Sequence, residues 1–140
     1  MVGSANLNIM IKAARRAGRG LVKDFREVEN LQVSMKGGQD PTRRWIVDPL
    51  DGTTNFLHGL PHWAVSIALE HKGQIVAGVV FDPAKDEMFF AEKGAGAWMN
   101  ESRLRVSGRS RMIEAIFATG LPFGGRADLP DTLSDLGRIL

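Results

Sequence analysis

Two aspartates stand three residues apart in Asp48-Pro-Leu-Asp-Gly-Thr-Thr-Asn55, the densest group of chemistry-bearing residues in the 140-residue chain. The preceding Trp45-Ile-Val47 reads as a short buried strand, at whose end two carboxylates are costly unless their charge is compensated. Pro49 fixes one backbone angle between Asp48 and Asp51 and makes a pre-set corner. At such a corner the two side chains and the Leu50 carbonyl can converge. An all-oxygen set of this kind suits magnesium, with water or a phosphate completing the octahedron. Gly52 then allows close backbone approach, and Thr53 and Thr54 bring hydroxyls that can cap a following turn. Exposed N–H groups at a helix start, with the positive end of its dipole, bind phosphate. Metal ligands beside an anion cradle are what phosphoryl transfer uses, because cations neutralise the equatorial oxygens while water attacks in line. Asp-Pro and Asp-Gly also occur in plain turns, but the Thr-Thr-Asn55 extension behind the Trp45-Ile-Val47 strand argues against one.

The rest of the composition narrows the chemistry. There is no cysteine, which excludes disulfides, thiolate nucleophiles and cysteine zinc sites. With three histidines available, a metal has to be held largely by oxygen, which favours a hard cation. Neither His58 nor His62 is spaced for zinc, and both read as structural, as does His71 in an expected turn. The hydrophobic fraction is 44% and the charged fraction 24%, ordinary for one globular core. No apolar run is long enough to cross a bilayer and no signal-peptide pattern opens the chain, so a cytoplasmic protein is expected. Net charge is +2, but residues 1–45 hold nine Lys/Arg against four Asp/Glu. A basic first third could attract phosphate-bearing partners; a solvated helix face is the plainer reading.

Elements that would position the motif follow from periodicity. Leu7, Met10, Ile11, Ala14, Ala17, Leu21 and Phe25 recur at helical spacing from Ser4 to about Val28, with Lys12, Arg15, Arg16, Arg19, Lys23 and Arg26 largely opposite. Ser4 or Asn6 could cap this helix, while Gly18 and Gly20 either weaken it or let it approach a neighbour. Residues 30–44 read as a loop. Three strands then form an antiparallel meander: Trp63 to Glu70, Gln74 to Phe81, and Glu87 to Ala91. Val79 and Val80 are both apolar, which predicts a sheet covered on two faces. Trp63 and Trp98 read as core, and Arg103 and Arg105 as the solvent face of a strand. Residues 113–119 are a further candidate strand, and Pro130-Asp131 opens an amphipathic helix through Leu133, Leu136, Ile139 and Leu140.

Trp45-Ile-Val-Asp-Pro-Leu-Asp-Gly-Thr-Thr-Asn-Phe56, with Leu60-Pro-His-Trp-Ala-Val-Ser-Ile67 behind it, resembles the inositol monophosphatases, and closely the bacterial extragenic-suppressor members. The likeness continues through Gly78-Val-Val-Phe-Asp-Pro83, Lys93-Gly-Ala-Gly-Ala97 and Ala118-Thr-Gly-Leu-Pro-Phe123, so it spans nearly the whole chain. It implies an α/β (α+β layered) fold, with alternating helix and sheet layers like those of fructose-1,6-bisphosphatase and a largely antiparallel sheet. It also implies that Asp48, Asp51 and the Leu50 carbonyl ligate Mg2+, and that Asp51 and Thr53 are catalytic. Gly52 and Thr53 would bind phosphate through their N–H groups, with Leu50, Asp51 and Thr54 around it and Lys36 on a nearby loop. Homodimers and lithium inhibition belong to the same picture.

The chain departs from the family pattern in two places. Between Lys36-Gly37 and Trp45 the family has several dozen residues, with a second helix and a Gly-Glu-Glu motif whose glutamate ligates metal; here only Gly38 to Arg44 stands there. A later Trp-Asp-x-Ala motif, which completes a metal site, does not occur before Leu140. Residues 1–140 are therefore expected to be the N-terminal part of one sugar-phosphatase domain, with a segment absent near 37–38, and to be inactive alone. The expected reaction is hydrolysis of a phosphate monoester, inositol monophosphate first. The alternatives are a fructose bisphosphate or 3′-phosphonucleotide phosphatase, or a non-catalytic partner of RNA or RNA polymerase.

Overall fold

The computed structural model of the chain describes residues 3–26, 42–120 and 129–139. They fall into two compact units, residues 1–105 and 106–140. The first opens with α1 (Ala5–Arg26), whose start is capped as expected: the Ser4 Oγ accepts the Leu7 N–H at 3.2 Å. Such a cap is worth about 1 kcal/mol. Leu7, Met10, Ala14 and Leu21 share one stripe and are buried. Gly18 lies on the same stripe, where a Cβ would meet the Phe81 ring at 2.5 Å and Pro83 at 2.8 Å. The missing side chain is what lets the helix sit this close to the sheet; Gly20 has nothing within 4 Å.

Six antiparallel strands follow in simple order: β1 (Arg43–Asp51), β2 (Ala64–His71), β3 (Gln74–Asp82), β4 (Glu87–Glu92), β5 (Gly96–Met99) and β6 (Ser102–Leu104). The five-residue helix α2 (Thr53–Leu57) interrupts the path from β1 to β2. The expected meander is thus present as β2 to β4 and extended on both sides. Val65, Ile67, Leu69, Ala77, Val79, Phe81 and Met88 line the face that α1 covers. Each of these side chains larger than alanine contributes roughly 1.5–3 kcal/mol by leaving water.

Three expectations need correction. Arg43 and Arg44 belong to β1 rather than to a loop; the rest of that loop up to residue 41 lies outside the described residues. Trp45, Ile46 and Val47 form a strand, but they are 44%, 42% and 40% exposed. The reason is positional: β1 is an edge of the sheet, and α1 lies over β2, β3 and β4. The sheet is also covered on one face only within this unit. Val79 is buried and Val80 is 43% exposed. On the uncovered face Ser66, Ala68, Gly78, Val80 and Phe89 line an apolar groove of about 330 Å³.

In the second unit, residues 113–119 form no strand; a 3-10 turn at Met112–Glu114 leads into exposed irregular chain. The final helix appears as expected, α3 (Leu129–Ile139), with Asp131 in its first turn and Arg138 in its last, both favourable to its dipole. Among the described residues no helix is long and apolar enough to cross a membrane.

Candidate functional site

Asp48 and Asp51 both lie in β1, three residues apart. In a regular strand that spacing would send them to opposite faces. The register removes the conflict: Asp48 pairs with Ser66, and Asp51 with Ala64, across an irregularity between them. One extra residue on β1 makes this a bulge, and it falls at Pro49-Leu50, where the proline has no N–H to give to the ladder. Both carboxylates therefore register with Ala64 and Ser66, on the side of the sheet away from α1. The Asp48 Oδ1 accepts the Leu50 N–H at 3.1 Å, which fixes the corner locally. Both aspartates are exposed. The expectation that they end a buried strand fails, and no desolvation cost has to be offset there.

Gly52 follows in the left-handed region, φ 84° and ψ 33°, and turns the chain into α2. A Cβ there would lie 2.9 Å from the His62 carbonyl oxygen and 3.2 Å from Trp63 Cα. The first helical hydrogen bond runs from Phe56 N–H to Gly52 O at 3.0 Å, so the N–H groups of Thr53, Thr54 and Asn55 precede it. The Thr53 hydroxyl does not cap this turn. It donates back to the Leu50 carbonyl at 2.8 Å, tying together two residues singled out in the sequence. Thr54 is exposed, and its carbonyl meets His58 Nδ1 at 2.9 Å, which gives His58 a local structural bond.

Packing holds the corner from below. Phe56 is fully buried and meets Trp63 edge to face, with ring centroids 5.1 Å apart, as the core reading of Trp63 anticipates. Trp98 is half-buried, with the Arg103 guanidinium over its ring at 5.7 Å. Asn55, to which the sequence reading gave no role, donates from Nδ2 to the His62 carbonyl at 2.9 Å, while its own carbonyl accepts the Leu60 N–H at 2.8 Å. Those two bonds close the loop from α2 to β2 around the motif.

Beside the corner is a cavity of about 480 Å³ lined by Asp51, Gly52, Asn55, His62, Asp82, Lys85 and Glu87 among others. Asp82 ends β3 at the turn into β4. It is 7% exposed, accepts the Ala84 and Lys85 N–H groups at 3.0 and 3.1 Å, and pairs with the Lys85 ammonium. That hydrogen bond from Lys85 to Asp82 holds the amine above its usual range, with the charges of Asp82 and Glu87 adding to the effect. No periodicity in the sequence could have signalled this juxtaposition, since β3 and β4 bring it to the mouth of the site.

The donors at the corner, two carboxylates and a carbonyl, are hard oxygens that fit a magnesium ion. They are part of a set only: among the described residues no group of three or more His, Cys, Asp or Glu could hold a metal. Lys36 lies outside the described residues.

Inositol-1-monophosphatase of Mesorhizobium japonicum is 44% identical over 178 aligned positions, covering the whole of this chain and 67% of the relative. The alignment is longer than the chain, so the relative carries residues that this one lacks. The Nus factor SuhB of Pasteurella multocida is 36% identical over 84% of this chain and 58% of its own. The crystal structure of extragenic suppressor protein suhB from Bartonella henselae superposes with a TM-score of 0.86 at 42% identity, covering 97% of this chain and 67% of that one. The chain thus spans about two thirds or less of the length of these proteins. The layered helix-and-sheet fold expected from the resemblance is theirs. The sequence pattern of the Inositol monophosphatase family matches residues 8–137, and the chain belongs to that family.

Proposed function

We propose that the chain carries the metal- and phosphate-binding core of a magnesium-dependent phosphomonoesterase acting on inositol monophosphate. What supports this reading above all is the bulged corner, with Asp48, Asp51 and the Leu50 carbonyl beside a Thr53 hydroxyl that is hydrogen-bonded to that carbonyl at 2.8 Å. In this reading Asp48, Leu50 and Asp51 hold Mg2+, Gly52, Thr53 and Thr54 receive the phosphate, and Lys36 adds positive charge near it. The ion would supply positive charge opposite the phosphoryl oxygens. Thr53 has its hydrogen committed to Leu50, which leaves its oxygen to accept a hydrogen bond from the attacking water and so help orient it. In the same reading Asp51 is catalytic together with Thr53, and the family's Gly-Glu-Glu glutamate, not present here, would activate that water. The family's glutamate-bearing segment and the C-terminal part of its domain would complete the site, and a cytoplasmic, lithium-sensitive homodimer is part of the same reading.

The test is magnesium-dependent phosphate release from inositol monophosphate, with fructose bisphosphate and a 3′-phosphonucleotide alongside. It is run on a polypeptide with the missing family segments restored, and on its Asp51→Asn and Asp48→Asn variants. Release should collapse in both variants, by about 10³-fold or more if the metal and water are lost. Full activity in either variant would remove that residue from the site. The 140 residues alone should release no phosphate.

A second reading is favoured by one observation, the relative named Nus factor SuhB: a non-catalytic partner of RNA or of the transcription machinery. It requires binding that survives Asp51→Asn.

A further inference from the structure

Strand β1 has β2 on one side and, among the described residues, no strand on the other. One hydrogen bond at its far end fixes which backbone groups face which side. The Lys72 N–H donates to the Thr42 carbonyl at 2.9 Å, in register with the pairing of Arg43 and His71. Thr42 and every second residue after it, Arg44, Ile46 and Asp48, therefore direct their N–H and C=O groups toward β2. Trp45 and Val47 direct theirs to the open side. Residues 42–48 are all exposed, and the centre of that run is the apolar Trp45-Ile46-Val47. An edge with unpaired donors, acceptors and apolar side chains is ready to take another strand.

The charges of β1 identify the strand that fits. It is basic at its start, Arg43 and Arg44, and acidic toward its end, Asp48 and Asp51. An antiparallel neighbour of complementary charge must run basic, then apolar, then acidic, and β1 itself has that order. Consider two copies related by a two-fold axis through Ile46. Trp45 of each lies opposite Val47 of the other, and these residues have the outward backbone groups, so they exchange both hydrogen bonds. Arg44 then stands opposite Asp48 of the second copy, at a position without backbone bonds across the axis, where side chains come nearest. Both lie on the side of the sheet away from α1, in register with Glu70 and Ser66. Arg44 already bonds Glu70 at 2.8 Å, and its fork keeps further N–H groups for a second carboxylate. Asp48 accepts the Leu50 N–H through Oδ1, which leaves Oδ2.

Other pairings do worse. With the axis at Trp45, Arg44 would face Ile46 and Asp48 would face Thr42, and both ion pairs are lost. The opposite edge of the sheet, β6, is three residues long, too short to span the run from Arg44 to Asp48. Pro49 has no N–H to give, so the ladder ends beside the corner. We propose that β1 is an interface between two copies of this chain, joined edge to edge through Trp45, Ile46 and Val47 and held in register by Arg44 against Asp48. The second copy thereby brings an arginine to one of the two carboxylates of the corner. The pairing goes beyond the phosphatase reading and needs no metal. One strand pair is a small interface, so the association is weak and follows concentration.

The test is sedimentation equilibrium of the 140-residue chain, without added metal, from about 1 to 300 μM. The mass should rise from 15.3 kDa toward twice that value and stop there. Arg44→Asp sets like charges opposite each other at both ends of the pair, and Asp48→Arg does the same with the other sign. Each variant alone should raise the dissociation constant by about tenfold or more. Mixed in equal amounts, the two variants meet with opposite charges at both ends and should form a one-to-one dimer again, which a merely structural defect would not produce. Circular dichroism shows whether each variant keeps its sheet. If either fails to fold, Ile46→Cys takes its place. The chain has no cysteine of its own, so this variant should cross-link to a second copy under air oxidation, and Ile75→Cys, exposed on β3, should not. A mass of 15.3 kDa throughout, or growth past the dimer, overturns the interface. So do dimers that ignore both charge variants, variants that stay apart when mixed, and cross-linking at Ile46→Cys no faster than at Ile75→Cys. None of these outcomes touches the phosphatase reading.

Discussion

Replacing Gly52 by alanine measures how tightly the corner is clamped. Two costs add. Alanine in the left-handed region, where Gly52 has φ 84°, costs about 1–2 kcal/mol. The new Cβ would also press on the His62 carbonyl oxygen at 2.9 Å and on Trp63 Cα at 3.2 Å, both of them backbone. That segment cannot yield easily, because Trp63 is wedged against Phe56 and the His62 carbonyl is held by Asn55 Nδ2 at 2.9 Å. Overpacking of this kind adds about 1–3 kcal/mol. Gly59 provides the internal control: it has φ 71° but nothing within 4 Å of its would-be Cβ. Gly59→Ala should therefore cost only the conformational part, about 1–2 kcal/mol. Urea unfolding followed by tryptophan fluorescence reads both. With a slope of about 1–3 kcal/mol per molar, each kcal/mol lowers the midpoint by roughly 0.3–1 M. Gly52→Ala should shift it about twice as far as Gly59→Ala; equal shifts would refute the clamp between α2 and the residues ahead of β2.

Phe56→Ala should destabilise the first unit by about 3–5 kcal/mol, as for a buried ring with no room to collapse, whereas Leu57→Ala, at an exposed position, should stay within about 0.5 kcal/mol. Thermal melts separate the two, and similar losses would contradict the burial pattern of α2. Alkaline titration tests the Asp82–Lys85 pair. Its amine is raised above the ordinary 10.5, so the folded chain binds that proton more tightly than the unfolded chain. The associated stability is complete below about 10.5 and is lost as pH rises through the folded value. Lys85→Met should flatten the fall in melting temperature across that alkaline window, and an unchanged slope would show that the pair does not couple to folding.

Much of the fold was legible in the residues themselves. A 3.6-residue apolar period marked α1 and its Ser4 cap, and alternation with turn residues between runs marked β2 to β4. These signals are local, and each reports which side of an element is apolar. The motif was legible for another reason: oxygen donors, a proline and a glycine in fixed order dictate a turn chemistry wherever they occur. Its family followed from the same residues.

What tertiary structure alone decided concerns neighbours. Trp45-Ile-Val47 is apolar enough for a core, yet β1 ends up at a sheet edge that α1 does not reach, so the strand is exposed. Residues 113–119 carry strand-forming side chains but form none, since a strand exists only through a partner. Asp48 and Asp51 share a face because pairing with β2 absorbs one residue at Pro49-Leu50; the proline marked a corner, but the bulge exists only through that pairing. The Thr53 hydroxyl, expected to cap a turn, turns back to the Leu50 carbonyl, and the Asp82–Lys85 pair reaches the same cavity as Asp51. Periodicity states what an element can bury; only the assembled sheet sets what stands opposite each residue, and that sets which atoms meet at the site.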